Sequence, residues 1–310
     1  MTDHMTDHVA DAPQDNWVDR YMPAGLRPYA RLMRLDRPIG LWLLLLPCWW
    51  ALTLAQIAAG GGMPNPWYAL LFLFGAIVMR GAGCTLNDIA DRDFDAKVAR
   101  TRSRPIPSGQ VSVRAATIFL ILQCLAGLAI LLQFNWTTVI IGAASLAIVA
   151  IYPFMKRFTY WPQVFLGLAF NWGALVGWSA IHGEIAWPAV LLYLGGIAWT
   201  LAYDTIYAHQ DKEDDVLIGV KSTALKFGAS SLYWIGGFFV VALLLFEVSL
   251  WLAQARLLAH MGVAAAALHA AWQISRLDIN DPLRCLRLFR SNRDFGLLLL
   301  LGLLLDTLTR

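Results

Sequence analysis

Two clusters of acidic residues have the spacing expected of metal ligands. The first follows the pattern N-D-x-x-D-x-x-x-D and consists of Asn87, Asp88, Asp91 and Asp95. On a helix Asn87, Asp91 and Asp95 share one face, because residues four apart lie one above the other. Asp88 lies beside this face, whereas Asp93 points away from it.

The second cluster lies in the stretch YDTIYAHQDKEDD. Asp204, Asp211 and Asp215 are spaced i, i+7 and i+11, with Tyr207 between them, so a helix would again place them together. Carboxylate oxygens, phosphate oxygens and water form the usual shell of Mg²⁺. One acidic loop is often only solvated surface, but two clusters with helical spacing predict a site for Mg²⁺ and a diphosphate.

Residues that could neutralise a diphosphate accompany the acidic ones. Four cations follow the first cluster within nine residues: Lys97, Arg100, Arg102 and Arg104. Tyr152 and Lys156 are one helical turn apart and add a phenol and an ammonium group.

Arg80 is an unusual cation, because it interrupts an apolar segment seven residues before Asn87 and so shares its helical face. An arginine within a membrane helix is costly and is a functional-site candidate by default. The alternative is that Arg80 extends to the lipid headgroups. Asn171, in the middle of another apolar segment, also leaves two interpretations open: it lines a cavity, or it bonds a neighbouring helix.

The composition of the chain is typical of a membrane protein. Of its 310 residues 58% are hydrophobic and 15% are charged, 14 are tryptophan, and the mean hydropathy is +0.56. Soluble domains usually contain about 25% charged residues. The apolar runs are continuous and about twice as long as the roughly ten-residue alternating strands of a membrane barrel. The composition therefore predicts an α-helical membrane protein.

Nine apolar stretches are candidate membrane spans: 39–59, 66–86, 112–133, 136–153, 161–181, 187–205, 230–250, 256–273 and 293–308. With nine spans, 22 of the 24 lysines and arginines fall on the side of the N-terminus, and only Arg256 and Arg310 fall opposite. The positive-inside rule then places the N-terminus and both acidic clusters in the cytoplasm and the C-terminus outside.

Other features predict structure rather than chemistry. Residues 1–30 are polar and lack the basic and apolar regions of a signal peptide, which predicts a disordered tail before a single membrane domain over 31–310. The four cysteines form no C-x-x-C pair and are expected to be small buried hydrophobic residues: Cys48, Cys84, Cys124 and Cys285.

With these motifs the chain resembles the UbiA superfamily of intramembrane aromatic prenyltransferases, whose signature is the pair of aspartate-rich motifs. Four further stretches are similar to the branch that prenylates 4-hydroxybenzoate: RLDRPIGLWLLLLPCWWAL, YPFMKRFTYWPQVFLGLAFNWGALVGWSA, AYDTIYAHQDKEDD and GVKSTALKFG. A minor departure is RPIGLW, which often reads RPIGTW in relatives. The resemblance covers residues 28–305 and implies an all-α protein with about nine transmembrane helices around a central cavity.

The resemblance also implies roles for individual residues. The metal ligands would be Asp88, Asp91, Asp95, Asp211 and Asp215, of which all but Asp88 would be catalytic. The substrate-binding residues would be Arg34, Arg80, Asn87, Asp88, Arg100, Arg104, Tyr152, Lys156, Asp204 and Tyr207. Among them, Arg80 would approach the carboxylate of the aromatic acid.

The implied reaction is the Mg²⁺-dependent transfer of a polyprenyl group from polyprenyl diphosphate to 4-hydroxybenzoate, a step of ubiquinone synthesis. The allylic C–O bond would ionise as diphosphate leaves. The ring carbon ortho to the hydroxyl would attack the allyl cation and then lose a proton. The protein would lie in a bacterial or mitochondrial inner membrane, with its active site facing the cytoplasm and no nucleic-acid partner.

Three alternatives stay open at this point. An enzyme for another acceptor, such as homogentisate, dihydroxynaphthoate, haem or chlorophyllide, would use the same motifs. A transporter for a divalent cation or an anionic lipid would more typically show inverted repeats and charges near the midplane, whereas these charges lie at one surface. A non-catalytic membrane scaffold would leave the paired motifs unexplained.

Overall fold

The computed structural model describes residues 15–98, 101–210, 212 and 219–310, and the regular structure in these ranges is entirely helical. The helices are α1 (Trp17–Tyr21), α2 (Arg27–Leu32), α3 (Ile39–Ala58), α4 (Pro66–Asp95), α5 (Val113–Leu131), α6 (Trp136–Phe158), α7 (Pro162–Asn171), α8 (Gly173–His182), α9 (Trp187–Ala208), α10 (Thr223–Phe227), α11 (Ser231–Leu252), α12 (Leu257–Arg276) and α13 (Pro282–Leu308). The predicted all-α class is confirmed.

Within the described ranges, eight helical segments are long and apolar enough to cross a bilayer, and they coincide with the first eight predicted spans. The ninth predicted span lies in α13, where Arg293, Asp294 and Asp306 interrupt the apolar run. At 27 residues, α13 is about 40 Å long and sufficient in length. The chain is therefore a polytopic membrane protein, and the count of nine is approximate.

The chain folds into two compact units. Unit 1 comprises the described parts of Met1–Leu41 and Phe74–Ile130, and unit 2 comprises those of Trp42–Leu73 and Leu131–Arg310. Unit 1 holds the first acidic cluster, and unit 2 holds the beginning of the second. The single domain expected over 31–310 stays a prediction.

The core of unit 2 is built around α9, in which 15 of 22 residues are buried. The rings of Trp50 and Trp199 are fully buried with their centroids 5.1 Å apart, and Trp50 Nε1 donates to the Gly296 carbonyl at 2.9 Å. A Cβ on Gly262 would lie 2.9 Å from the Cα of Gly302, so α12 and α13 approach as closely as glycine allows. Unit 2 is therefore closely packed both around α9 and between α12 and α13.

Exposed tryptophans mark the ends of several helices in unit 2. Trp67, Trp136 and Trp187 lie at the beginnings of α4, α6 and α9, and Trp251 lies at the end of α11. Because successive spans alternate in direction, the predicted order of spans assigns these four ends to one side. Tryptophan is enriched at membrane interfaces, so the pattern agrees with that order.

Part of the expected N-terminal tail is folded. Within residues 15–30 the structure contains α1 and most of α2, and Val18 is completely buried. The Arg31 side chain is also buried and donates to Asp19 Oδ1 at 2.8 Å. Periodicity did not indicate this fold, because a partly buried ion pair rather than a long apolar stripe joins the two helices.

Candidate active site

The first acidic cluster forms the final turns of α4 in unit 1. This helix has 30 residues and is about 45 Å long, so it exceeds the roughly 30 Å hydrocarbon layer and its last turns can reach the headgroup region. Asp88, Asp91 and Asp95 are 0, 1 and 8% exposed, whereas the Asp93 side chain is 76% exposed. Of the face predicted from the spacing, Asp91 and Asp95 are therefore buried, Asn87 is half-buried, and Asp93 lies off it.

Two arginines of unit 1 bind these carboxylates. Arg34 Nη2 donates to Asp88 Oδ1 at 2.6 Å. Arg104 Nη1 donates to Asp95 Oδ2 at 2.8 Å and lies 3.5 Å from Asp88 Oδ1. Both arginines were predicted to contact substrate, and the structure places both on the acidic cluster, where they neutralise two of its carboxylates.

Asp88 keeps one oxygen without a partner. Its Oδ2 is buried and has no hydrogen bond, an arrangement that is costly unless a cation or donor satisfies it. In the described part of the chain, no three His, Cys, Asp or Glu side chains group closely enough to hold a metal by themselves. The remaining ligands would come from elsewhere in the chain, from substrate or from water, which is usual for Mg²⁺. The oxygen donors therefore fit this ion.

Arg80 of α4 lies against the first turn of α3 in unit 1. A Cβ on Gly40 would overlap the Arg80 guanidinium, so glycine leaves the space that this group occupies. Arg80 Nε is buried and has no hydrogen-bond partner. The N-terminal turn of α3 carries partial positive charge, so the two features together favour an anion. This setting supports ligand binding over a contact with lipid headgroups, and the sequence alone did not indicate Gly40.

The described part of the second cluster lies at the end of α9 in unit 2. Asp204 and Tyr207 are half-buried. The rings of Tyr207 and Tyr203 contact Phe289 of α13, with centroids 4.6 and 5.8 Å apart. These aromatic contacts fix the helix end from which the cluster continues. The predicted site residues outside the described ranges are Arg100, Asp211 and Asp215.

His209 follows α9 directly and was not among the predicted site residues. It is 4% exposed, and neither ring nitrogen has a hydrogen-bond partner. Burial, together with the charge of Lys212, lowers the pKa of the His209 imidazole to about 4. The imidazole is therefore neutral near pH 7. The one available signal in the sequence is its position two residues before Asp211.

Tyr152 and Lys156 are half-buried at the end of α6 in unit 2. The Lys156 carbonyl accepts the Lys221 N–H at 3.0 Å, and Lys221 Nζ donates to the Phe158 carbonyl at 3.3 Å. The stretch GVKSTALKFG is thus attached to the end of the helix that carries the predicted diphosphate-binding pair.

Asn171 bonds a neighbouring helix. Its Nδ2 donates to Thr200 Oγ1 of α9 at 2.8 Å and to the Gly167 carbonyl at 2.9 Å. The residue is completely buried, and a Cβ on Gly196 would overlap its side chain. Of the two interpretations left open by the sequence, helix bonding is the one that the structure shows.

Similar proteins share both sequence and fold with this chain. The pattern of the UbiA prenyltransferase family matches residues 44–300. Relatives named "4-hydroxybenzoate polyprenyltransferase, mitochondrial" include the Arabidopsis thaliana protein, 50% identical over 94% of this chain and 71% of the relative. The Homo sapiens protein is 51% identical over 92% of this chain and 77% of the relative. The Aedes aegypti protein is 50% identical over 91% of this chain, and the matched region covers 64% of that relative's length.

Two solved structures resemble the fold. A UbiA homolog from Aeropyrum pernix K1 superposes with a TM-score of 0.71 at 23% identity, covering 85% of this chain and 97% of that one. A UbiA homolog from Archaeoglobus fulgidus, bound to GPP and Mg²⁺, has a TM-score of 0.68 at 21% identity and covers 91% and 100%. At these identities the likeness concerns the fold.

Proposed function

The chain belongs to the UbiA prenyltransferase family, and from this premise we propose that it transfers a polyprenyl group from polyprenyl diphosphate to 4-hydroxybenzoate. The new bond forms at the ring carbon ortho to the hydroxyl, a step of ubiquinone synthesis. The observation that carries the choice of acceptor is the 50 to 51% identity to relatives named for this acceptor. The buried carboxylates at the end of α4 supply the oxygen ligands that departure of a diphosphate requires.

The two acidic clusters would hold Mg²⁺. The ligands we propose are Asp88, Asp91, Asp95, Asp211 and Asp215. When bound, Mg²⁺ stabilises the negative charge that develops on the leaving diphosphate. Asn87 precedes Asp88 on α4, and Asp204 lies near the end of α9; both would add oxygen atoms for water or substrate.

Cationic and phenolic groups would take the remaining charge of the diphosphate. We assign this role to Tyr152, Lys156, Arg100 and Arg104, with Tyr207 at the edge of the second cluster. Charge-assisted bonds from Arg and Lys to phosphate are about twice as strong as neutral ones. The apolar helices hold the prenyl chain and keep away water, which would otherwise intercept the allyl cation.

Arg80 would hold the acceptor by its carboxylate. Its guanidinium lies at the first turn of α3, and its Nε is buried without a hydrogen-bond partner. The guanidinium and the N-terminal end of α3 both attract an anion. Asn87 lies seven residues further along α4, about 10 Å away. An acid bound at Arg80 therefore lies deeper in the membrane than the acidic cluster and leaves its phenol ring free to meet the prenyl carbon.

Membranes containing the protein test this function directly. Incubation with a polyprenyl diphosphate, Mg²⁺ and a panel of aromatic acids should yield ring-prenylated 4-hydroxybenzoate, and a chelator should abolish the product. Mass spectrometry identifies the acceptor. A product formed only with another acid, such as homogentisate, would refute the acceptor, and no product with any acid would refute the activity.

The orientation of the protein is a further part of the proposal. We propose that the N-terminus and the clusters face the cytoplasm, or the matrix in a mitochondrial inner membrane, because 22 of 24 lysines and arginines fall on that side. A topology reporter fused after Arg310 should then read as non-cytoplasmic in a bacterial host. A cytoplasmic signal would contradict the combination of a cytoplasmic N-terminus with an odd number of spans.

A further inference from the structure

Arg34 is constrained in both its backbone and its side chain. Its φ of 57° lies in the left-handed region, which residues with a Cβ rarely adopt. Arg34 follows the C-cap of α2, where the Leu35 N–H donates to the Ala30 carbonyl at 3.0 Å, and helices that end in this way usually have glycine at this position. The side chain is buried although it carries a full charge. These two costs call for a specific role.

The guanidinium of Arg34 joins two elements of unit 1. Nη1 donates to the Arg31 carbonyl at the end of α2 at 3.0 Å, and Nη2 donates to Asp88 Oδ1 of α4 at 2.6 Å. The two bonds come from different nitrogens of the planar guanidinium, which holds their directions fixed relative to each other. Lysine keeps the charge but has no such planar fork of N–H donors.

The effect of this attachment falls on the other oxygen of Asp88. With Oδ1 held by Arg34, the plane of the carboxylate is fixed, and Oδ2 stays buried without a hydrogen bond. Arg104 stabilises the same oxygen more weakly at 3.5 Å. The two arginines therefore occupy one side of Asp88 and leave the other side for a cation.

We propose that Arg34 is a positioning residue: it orients Asp88 so that Oδ2 is presented to a divalent cation, and it does not contact the diphosphate. The inference rests on the metal dependence of the proposed function. It changes one role, since the family resemblance placed Arg34 among the substrate-binding residues. Groups that orient metal ligands typically change metal affinity 10- to 100-fold when they are removed.

The test measures the binding of Mn²⁺ to the purified full-length protein, first without and then with inorganic pyrophosphate. Electron paramagnetic resonance reports the concentration of free Mn²⁺. In Arg34→Lys the charge is kept and the fork is lost, so the Kd for Mn²⁺ should rise about tenfold. The matched control is Arg31→Lys, a buried arginine of α2 that bonds Asp19 and Gln110. It should lower the thermal stability and leave the Kd for Mn²⁺ unchanged.

Arg34→Gly separates geometry from charge and from backbone strain, because glycine accepts a positive φ freely. If Arg34 acts only through its charge, Arg34→Lys should bind Mn²⁺ like wild type and Arg34→Gly should bind it more tightly. That result would overturn the inference. So would an unchanged Kd for Mn²⁺ in Arg34→Lys combined with a raised KM for geranyl diphosphate, which would make Arg34 a diphosphate ligand.

Two further outcomes have a defined meaning. A lower melting temperature in Arg34→Lys with unchanged Mn²⁺ binding would show a purely structural role and would overturn the inference. Wild-type protein that binds no Mn²⁺ under either condition would do the same. Failure of the proposed acceptor is distinguishable, because a different aromatic acid in the product assay would leave the Mn²⁺ result intact.

Discussion

Replacement of Asp91 with alanine is expected to abolish prenyl transfer while the protein remains inserted and folded. Asp91 is 1% exposed and belongs to the first acidic cluster. The change to alanine removes a carboxylate that we propose as a Mg²⁺ ligand. Loss of an electrostatic group that stabilises a developing negative charge costs at least about a hundredfold in kcat. Product formation from polyprenyl diphosphate and 4-hydroxybenzoate, normalised to folded protein, measures the effect.

Asp93→Ala is the matched control for this prediction. Asp93 is two residues away and largely exposed, and it contacts Arg92 at the surface at 3.5 Å. Exposed pairs of this kind contribute about 0–1 kcal/mol, so Asp93→Ala should retain activity within about a factor of two. Full activity in Asp91→Ala, or a wild-type rate that a chelator does not reduce, would contradict the metal assignment.

The membrane fold was predictable because its main signal is local. Continuous apolar runs identify spans without reference to their partners, and eight predicted spans recur as helices. The break between α7 and α8 was not predicted. At this break a Cβ on Gly173 would overlap the Cys48 Sγ, so the beginning of α8 packs closely on α3. The glycine does not itself specify that partner.

In the candidate site, too, local features could be predicted from the sequence and long-range contacts could not. Helical spacing predicted that Asp91 and Asp95 share one face, with Asp88 beside it and Asp93 pointing away, because this relation depends on one helix. The structure agrees, since Asp88, Asp91 and Asp95 are buried and Asp93 is exposed. The attachment of Arg34 to Asp88 joins residues 54 positions apart, and no periodic pattern reports such a contact.

Arg80 is expected to govern recognition of the acceptor rather than the donor. Arg80→Ala should raise the KM for 4-hydroxybenzoate and leave that for the prenyl diphosphate nearly unchanged. Loss of a charge-assisted pair in a low-dielectric setting costs about 2–3 kcal/mol, which corresponds to about a 30- to 150-fold increase. Arg80→Lys should recover part of this loss, since lysine lacks the planar fork.

Gly40→Ala tests the same assignment while keeping the arginine. The added Cβ would overlap the Arg80 guanidinium and displace it, so the KM for 4-hydroxybenzoate should rise in the same direction as in Arg80→Ala. Gly75→Ala on α4 is the matched control, because its Cβ would make only an ordinary contact with the Ile130 side chain at 3.7 Å, and its KM values should stay near those of wild type. If Arg80 only reached the lipid headgroups, lysine would replace it fully and neither KM would change. If the KM for the prenyl diphosphate alone rose in Arg80→Ala and Gly40→Ala, Arg80 would belong to the diphosphate site and the acceptor would be held elsewhere.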